Sequence, residues 1–285
     1  MQNMYEGLYI PLTDEQIDKY LERIEMPRPE KLDKEYLDKL VLNHQTHVVF
    51  ENIDVCDYDR PISLNTADLY NKIVERKRGG YCFELNGLFI KLLQGLGYEA
   101  WSSPCRGIMG SIEMPGAVMH RGNTVRIDGK LYFCDVGYGG PMPPGAIEFV
   151  DGVRQVVDGE TFWFEAHREY WWLMKRMTKG TSESGMLGAY DPNTINEVKE
   201  VDVMLMSPQK WEAADFVLPN ETCSMGETAI FKNRHMVSLR TPTGSKGLND
   251  EVFTIIENGV RTRTPITKDE IPGLLKEHFN ITPEQ

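Results

Sequence analysis

An apolar stripe with helical spacing follows a pair of glycines in the first third of the chain. It consists of Leu85, Leu88, Phe89, Leu92, Leu93 and Leu96, opens after Gly79-Gly80 and closes at Gly95 and Gly97. Residues three and four positions apart lie on one face of an α-helix, so the run predicts an amphipathic helix with one broad apolar face. Such a face must be buried against another layer of structure, which requires a folded core around this helix.

The hydrophobic period changes after this helix. Before it, Thr13 and Gln16 form a capping box, and Tyr36, Leu37 and Leu40 repeat at helical spacing. Residues 98–200 are dominated by short alternating segments between turn residues. Residues 201–285 combine strand-like runs, MVSLRT and EVFTII, with a closing helix, TKDEIPGLLKEHF. The pattern predicts helices first, strands next, and a mixed α/β segment last.

Charge and cysteine content exclude several classes of protein. The net charge is -12, from 31 Lys+Arg against 43 Asp+Glu, which disfavours general binding to nucleic acid or anionic membranes. The five cysteines are odd in number, widely spaced and free of C-x-x-C pairs, which is typical neither of a disulfide scaffold nor of a zinc ribbon. The N-terminus has no signal-peptide pattern, so we expect a soluble protein in the reducing cytoplasm.

Cys82 is the strongest candidate nucleophile. It stands at the first turn of the predicted helix, directly after RGGY. The free N–H groups and positive end of a helix favour a thiolate, which is the reactive form of cysteine. We therefore expect a lowered pKa for this thiol, and we expect the glycines to allow a sharp turn and the approach of a substrate. The alternative is an inert, buried cysteine.

A predicted hairpin supplies the base. Asp128-Gly129 lies between two alternating runs, which favours a two-residue turn. That register places Gly122 opposite Asp135, so His120 and Asp135 become diagonal neighbours on one face. A carboxylate beside an imidazole fixes its tautomer and stabilises its charged form. A purely structural contact, or a slip of one residue that separates the pair, remains open. His44 and His47 are read as packing residues, because no second pair completes a metal site.

Three segments together resemble the arylamine N-acetyltransferase family. Residues 78–86, RGGYCFELN, are close to the family's RGG-x-C-x-E-x-N signature. The segment HVVFENIDV resembles its PFEN(L/I)D-type segment, and His120-Arg121 with DVGYGG at 135–140 resemble its histidine and DVGFGG segments. The resemblance is dense to about residue 145 and looser beyond residue 150.

The resemblance implies an α+β fold with a papain/transglutaminase-like core. It divides the chain into an N-terminal helical bundle at 1–97 that carries the nucleophile, a β-barrel at 98–200 that carries His120 and Asp135, and an α/β lid at 201–285. It implies a catalytic triad of Cys82, His120 and Asp135.

The resemblance also implies a cofactor and a class of acceptor. The cofactor is acetyl-CoA, used as a co-substrate and without a metal. The resemblance assigns its binding to Gly116, Ala117, Val118 and Met119, just before His120, and to Gly139 and Gly140. The acceptor is a small arylamine, arylhydrazine or arylhydroxylamine, as in xenobiotic metabolism.

Three other functions are compatible with the same residues. A cysteine hydrolase or peptidase would use the same triad on a different acyl donor. An amide synthase would close an acyl chain in place of using acetyl-CoA. A binding protein would keep the fold without catalysis. Incubation with acetyl-CoA alone separates them, because only an acetyltransferase retains the acetyl group on the nucleophile.

Overall fold

The computed structural model describes residues 5–108, 112–179, 198–227 and 229–282. Helices occupy the first third of the chain, as predicted. Their bounds are α1 Asp14–Arg23, α2 Lys34–His47, α3 Ile53–Cys56, α4 Thr66–Tyr70 and α5 Cys82–Leu96. A π-helical turn, Asn71–Glu75, continues α4.

Helix α5 is the central helix of this part. The carboxylate of Glu84 accepts the backbone N–H of Tyr81 at 3.0 Å, which satisfies one of the free donors at the start of the helix. Gly97 ends the helix in the left-handed conformation, with a φ of 103°. The predicted start, stop and apolar stripe are confirmed. The helix is buried on nearly every side, because α1, α4 and two strands pack around it.

Eight antiparallel strands form a strongly curved sheet. Their bounds are β1 Glu99–Gly107, β2 His120–Ile127, β3 Lys130–Cys134, β4 Ile147–Glu148, β5 Gln155–Val157, β6 Glu160–Ala166, β7 Trp172–Lys179 and β8 Val198–Met206. Their order in the sheet is β4-β3-β2-β1-β8-β7-β6-β5. A bridge between Asp151 and Phe164 brings the two ends of the sheet together, so the barrel is nearly closed. Phe133, Phe162 and Phe164 fill its interior.

The hairpin of β2 and β3 has the predicted register. Ile127 pairs with Lys130, and Asn123 pairs with Cys134. Asp128 and Gly129 both have positive φ angles, of 49° and 77°, as a two-residue type I′ turn requires. This register places Asp135, just beyond β3, level with Gly122.

The C-terminal part contains helix α6 Val217–Ser224, a four-stranded sheet and the closing helix α7 Ile271–Phe279. The strands are β9 Val237–Thr241, β10 Gly244–Leu248, β11 Val252–Glu257 and β12 Val260–Pro265, paired in the order β12-β11-β10-β9. Phe50, which precedes α3, exchanges two backbone hydrogen bonds of 2.9 Å with Ser238 of β9. The C-terminal sheet is therefore attached directly to the helical part.

The division into domains stays a prediction, and one of the predicted boundaries lies within a strand. The boundary at residue 97 falls between α5 and β1. The boundary at residue 200 falls inside β8, which continues to Met206 as a member of the large sheet. Membership of the sheet therefore favours a boundary after residue 206. Within the described residues, no helix combines the length and the apolar character that a membrane span needs.

Candidate active site

Cys82 is the first residue of α5 and is almost completely buried, at 2% exposure. Burial raises the pKa of this thiol well above its usual value, and the nearby Cys223 and Asp135 raise it further. The backbone N–H groups of Arg121 and Phe83 oppose this rise in pKa. The N–H of Phe83, at the start of the helix, therefore lowers the pKa as expected, but the expected net fall is wrong in sign, because desolvation of the thiolate outweighs the two N–H donors.

His120 and Asp135 meet as the hairpin register predicts. Nε2 of His120 lies 2.5 Å from Oδ2 of Asp135, and both side chains are buried. Cys82 lies beside the same residues, because a Cβ atom on Gly137, two residues after Asp135, would lie 3.0 Å from the Cα of Cys82. The N–H of Arg121, the residue after His120, also lowers the pKa of the thiol. The start of β2 therefore brings the imidazole and the thiol into one site. With Nε2–H donating to Asp135, Nδ1 of a neutral His120 is left to accept a proton.

Asn86 fixes the position of Asp135, and its role was not predicted. It lies one turn after Cys82 on α5, and its Nδ2 donates to Oδ1 of Asp135 at 2.8 Å and to the carbonyl of Arg121 at 2.6 Å. Its Oδ1 accepts the N–H of Val136 at 3.0 Å. The N–H of Gly137 adds a 2.8 Å bond to Oδ1 of Asp135. Two signals were available: its place at the end of the RGG-x-C-x-E-x-N signature, and the spacing of four residues from Cys82, which places both side chains on the same face.

Gly79 and Gly80 serve the packing of the protein and leave no room for a substrate. A Cβ atom on Gly79 would lie 1.9 Å from the carbonyl oxygen of Val49, and one on Gly80 would lie 2.8 Å from a carboxylate oxygen of Glu84. The expectation of substrate access is therefore wrong, because protein atoms occupy the space beside both glycines. Neither glycine has a positive φ, and the sharp turn stays a prediction. Their absent side chains let the strand-like segment around Phe50 pair with Gly80.

Arg121 is a buried cation close to the thiol. Its guanidinium donates to Oγ of Ser102 at 2.8 and 3.0 Å and lies 4.7 Å from the ring centroid of Phe216. Burial lowers the pKa of Arg121 to about 10, while the charge on Cys82 acts in the opposite direction. A thiolate at Cys82 therefore has a positive charge near it in a site of low polarity.

The residues predicted to bind the cofactor lie in two segments near His120, one directly before it in the chain and one directly after Tyr138, whose ring contacts it. Gly116 and Ala117 are exposed, whereas Val118 is buried and Met119 half-buried directly before β2. Gly139 and Gly140 are half-buried and follow Tyr138, whose ring meets that of His120 edge-on at 5.4 Å. Gly139 has a φ of 73°, and a Cβ atom there would lie 2.6 Å from the ring of Phe50. The protein's own packing therefore accounts for that glycine.

The two histidines of α2 make contacts within the protein. Nε2 of His44 lies 2.8 Å from the hydroxyl of Tyr20, and Nδ1 of His47 lies 2.8 Å from the carbonyl of Asn43. Among the described residues, the one group of side chains close enough to share a metal ion consists of Cys56, Asp57 and His235. This group has no residue in common with the Cys82 site.

Known proteins resemble this chain over nearly its whole length. A family model described as N-acetyltransferase matches residues 33–285. An arylamine N-acetyltransferase of Escherichia coli is 28% identical over 268 residues, which are 93% of this chain and 88% of the relative. A pineal gland isozyme from Gallus gallus is 26% identical over 264 residues, which are 90% of each chain.

A solved structure agrees in fold. The arylamine N-acetyltransferase from Salmonella typhimurium superposes with a TM-score of 0.81 at 21% identity, covering 95% of this chain and 92% of its own. The α+β fold, with its papain-like core and barrel-like sheet, is thereby confirmed. Because the family model spans most of the chain, this protein belongs to the N-acetyltransferase family.

Proposed function

We propose that this protein transfers the acetyl group of acetyl-CoA to the nitrogen of arylamines, arylhydrazines or arylhydroxylamines, with Cys82 as the acyl carrier. One observation carries the proposal. The thiol at the start of α5 lies against the first residues of β2, where His120 is held 2.5 Å from Asp135. A nucleophile, a base and a carboxylate that orients the base are the parts that acyl transfer needs.

His120 is needed to activate the thiol. Because burial favours the neutral thiol, the proton of Cys82 must move to a base before or during the attack. Nδ1 of His120 is the group that takes it, and Asp135 then stabilises the resulting imidazolium. The charge on Arg121 and the N–H groups of Arg121 and Phe83 stabilise the thiolate in this ion pair.

The transfer has two halves. The thiolate attacks the thioester carbon of acetyl-CoA, which forms the bond between Cys82 and the acetyl group and releases CoA as the leaving thiol. An amine then attacks the acetyl-cysteine, gives its proton to His120, and leaves as the amide while Cys82 is restored. The first N–H groups of α5, including that of Cys82, are the donors that we assign to the oxyanion.

We place the approach of acetyl-CoA along residues 116–119 and the loop at 139–140. One arginine supports this placement despite the net negative charge of the chain. Arg106 donates to the carbonyl of Gly116 at 2.5 Å, whereas the charge of the neighbouring Arg168 is paired with the carboxylate of Glu113 at 3.6 Å. Local positive charge beside an exposed segment suits an anionic cofactor. An Ala117→Asp variant is expected to raise KM for acetyl-CoA with little change in kcat, and an unchanged KM would contradict the placement.

The protein is further proposed to act in the cytoplasm on small-molecule acceptors. All five cysteines are free thiols, which suits a reducing compartment. The physiological amine belongs to the broad class of aromatic nitrogen nucleophiles named above.

Intact mass spectrometry tests donor and nucleophile together. Incubation with acetyl-CoA and no amine should add one acetyl group to the wild-type protein and none to Cys82→Ser. Cys56→Ser is the control, because Cys56 is a free thiol at the end of α3 and has no part in the Cys82 site. It should be acetylated like the wild type. A peptidase, an amide synthase for another donor or a binding protein would leave all three masses unchanged.

A further inference from the structure

A second cluster of reactive side chains lies outside the Cys82 site. It consists of Cys56, the last residue of α3, Asp57, which follows it, and His235, two residues before β9. The sulfur of Cys56, a carboxylate oxygen of Asp57 and a ring nitrogen of His235 all lie within 4.8 Å of one another. Thiol, carboxylate and imidazole therefore converge from two segments that are about 180 residues apart in sequence.

His235 is held in the orientation that a metal ligand needs. Its Nδ1 lies 2.5 Å from Oδ1 of Asp250, and its backbone N–H donates to the same oxygen at 3.1 Å. The imidazole is consequently fixed with Nε2 directed at Asp57, whose Oδ1 is 2.7 Å away. At 2.7 Å from a carboxylate oxygen, Nε2 carries a proton in the structure, so a metal ion would displace that proton while Asp250 keeps Nδ1–H. A carboxylate that accepts Nδ1–H is usual behind histidines that bind metals.

We propose that Cys56, Asp57 and His235 bind a Zn²⁺ ion through Sγ, a carboxylate oxygen and Nε2, with Asp250 as the residue that orients His235. The donor set decides the metal. Thiolate with imidazole suits Zn²⁺, whereas Mg²⁺ and Ca²⁺ take oxygen ligands almost exclusively. Three protein ligands leave the fourth tetrahedral position to water, which suits the partial exposure of Asp57.

The pair of His235 and Asp57 requires only a small adjustment to share an ion. Ligand distances of about 2.0–2.2 Å at tetrahedral angles place nitrogen and oxygen roughly 3.3 Å apart. The contact between Nε2 of His235 and Oδ1 of Asp57 is 2.7 Å. The carboxylate of Asp57 would therefore move back by about 0.6 Å, which a side chain at the end of a short helix can do.

The ion would join two parts of the fold, and it would have no role in acetyl transfer. Cys56 and Asp57 belong to the helical part, and His235 belongs to the segment that leads into the C-terminal sheet. Close by, Nδ2 of Asn52 donates to the carbonyls of Phe231 and Arg234 at 2.7 and 2.8 Å. Zinc would add a coordinate bond to this junction.

Metal titrations of the full chain in a Cys82→Ser background test the proposal, since this background removes the other candidate thiol ligand. Zn²⁺ should bind with one equivalent in competition with a chromophoric chelator. Co²⁺ used as a spectroscopic probe should give a thiolate-to-cobalt charge-transfer band. Cys56→Ser should abolish that band and weaken Zn²⁺ binding at least 100-fold, and Asp250→Asn should weaken it about 10- to 100-fold.

Asp59→Asn is the matched control, because Asp59 is a nearby carboxylate that pairs with Lys232 at 2.7 Å and lies outside the donor set. It should bind Zn²⁺ like the parent. The proposal is overturned if the Cys56→Ser variant keeps the parent's affinity, or if bound Co²⁺ shows no thiolate band. If His235 instead stays protonated between Asp57 and Asp250 and no metal ion binds at this cluster, the thiolate band will be absent. The cobalt spectrum of the parent decides this point even if a variant fails to fold.

Discussion

At the scale of single residues, Asp135 sets the tautomer of His120. Oδ1 of Asp135 accepts from Asn86 and Gly137, so an asparagine at this position would place its oxygen there and its NH₂ group toward His120. Nε2 of His120 would then have to accept, and the proton would move to Nδ1, where the base is needed. We expect Asp135→Asn to keep the fold and lose about 10⁴ in kcat. A variant with more than about a tenth of the wild-type kcat would remove Asp135 from the mechanism.

The reactivity of Cys82 should depend on His120. Burial raises the pKa of the thiol, and the start of the helix does not compensate. Without the imidazole, we expect alkylation of Cys82 at pH 7 to slow at least about 100-fold in His120→Gln, because less of the reactive thiolate forms. The rate of iodoacetamide labelling measures this. His47→Gln, on the surface of α2, is the control and should label at the wild-type rate. Equal rates in all three proteins would mean that another group activates the thiol.

At the scale of elements, the packing of α1 and α2 against α5 depends on a neutral histidine. His44 is fully buried, contacts Tyr20 of α1 and meets Phe89 of α5 edge-on at 5.4 Å. Burial lowers the pKa of His44 to about 3, and the charges on Arg23 and His47 contribute. The pKa of His44 is lower in the folded protein than in the unfolded chain. The stabilisation that buried, neutral His44 provides is therefore fully present above about pH 6.5 and is lost as the pH falls toward 3.

A glutamine at position 44 should remove this dependence on pH. Between pH 8 and pH 5, His44 alone should reduce the free energy of unfolding of the wild type by about 2 kcal/mol. His44→Gln can still bond to Tyr20 and should lack this part of the loss, so urea unfolding of both proteins at the two pH values isolates it. If the two proteins lose the same free energy, His44 is already neutral in both states or is protonated in the folded state.

Elements with local signals were predictable, and contacts between distant segments were not. Helix α5 and the turn at Asp128-Gly129 depend on neighbours a few residues away, so the apolar period and the turn residues were sufficient. From that register, the contact between His120 and Asp135 followed directly. The bonds of Asn86 to β2 and to the residues after β3 need the tertiary fold, because no period connects these positions. The close contact of Gly79 with Val49 and the meeting of Cys56 with His235 need it for the same reason.

At the scale of the whole molecule, both substrates must reach one buried thiol. If the acetyl group rests on Cys82 between the two halves of the reaction, CoA leaves before the amine reacts. Initial rates against acetyl-CoA at several amine concentrations should therefore give parallel double-reciprocal lines. Acetyl-CoA alone should release about one equivalent of CoA as a burst. Intersecting lines without a burst would indicate direct transfer, even if Cys82 proved essential.

The contacts between the helical part and the C-terminal part can form only late in protein synthesis. The hydroxyl of Tyr81 bonds to Asn220, and the amide of Asn52 bonds to carbonyls at 231 and 234. A ribosome releases the N-terminal helices first, so the segment before Cys82 waits for these partners until almost the whole chain has emerged. A polypeptide cut short by premature termination at about residue 200 would lack them. We therefore expect a fragment that ends near residue 200 not to retain an acetyl group on Cys82, and intact mass spectrometry after incubation with acetyl-CoA measures this.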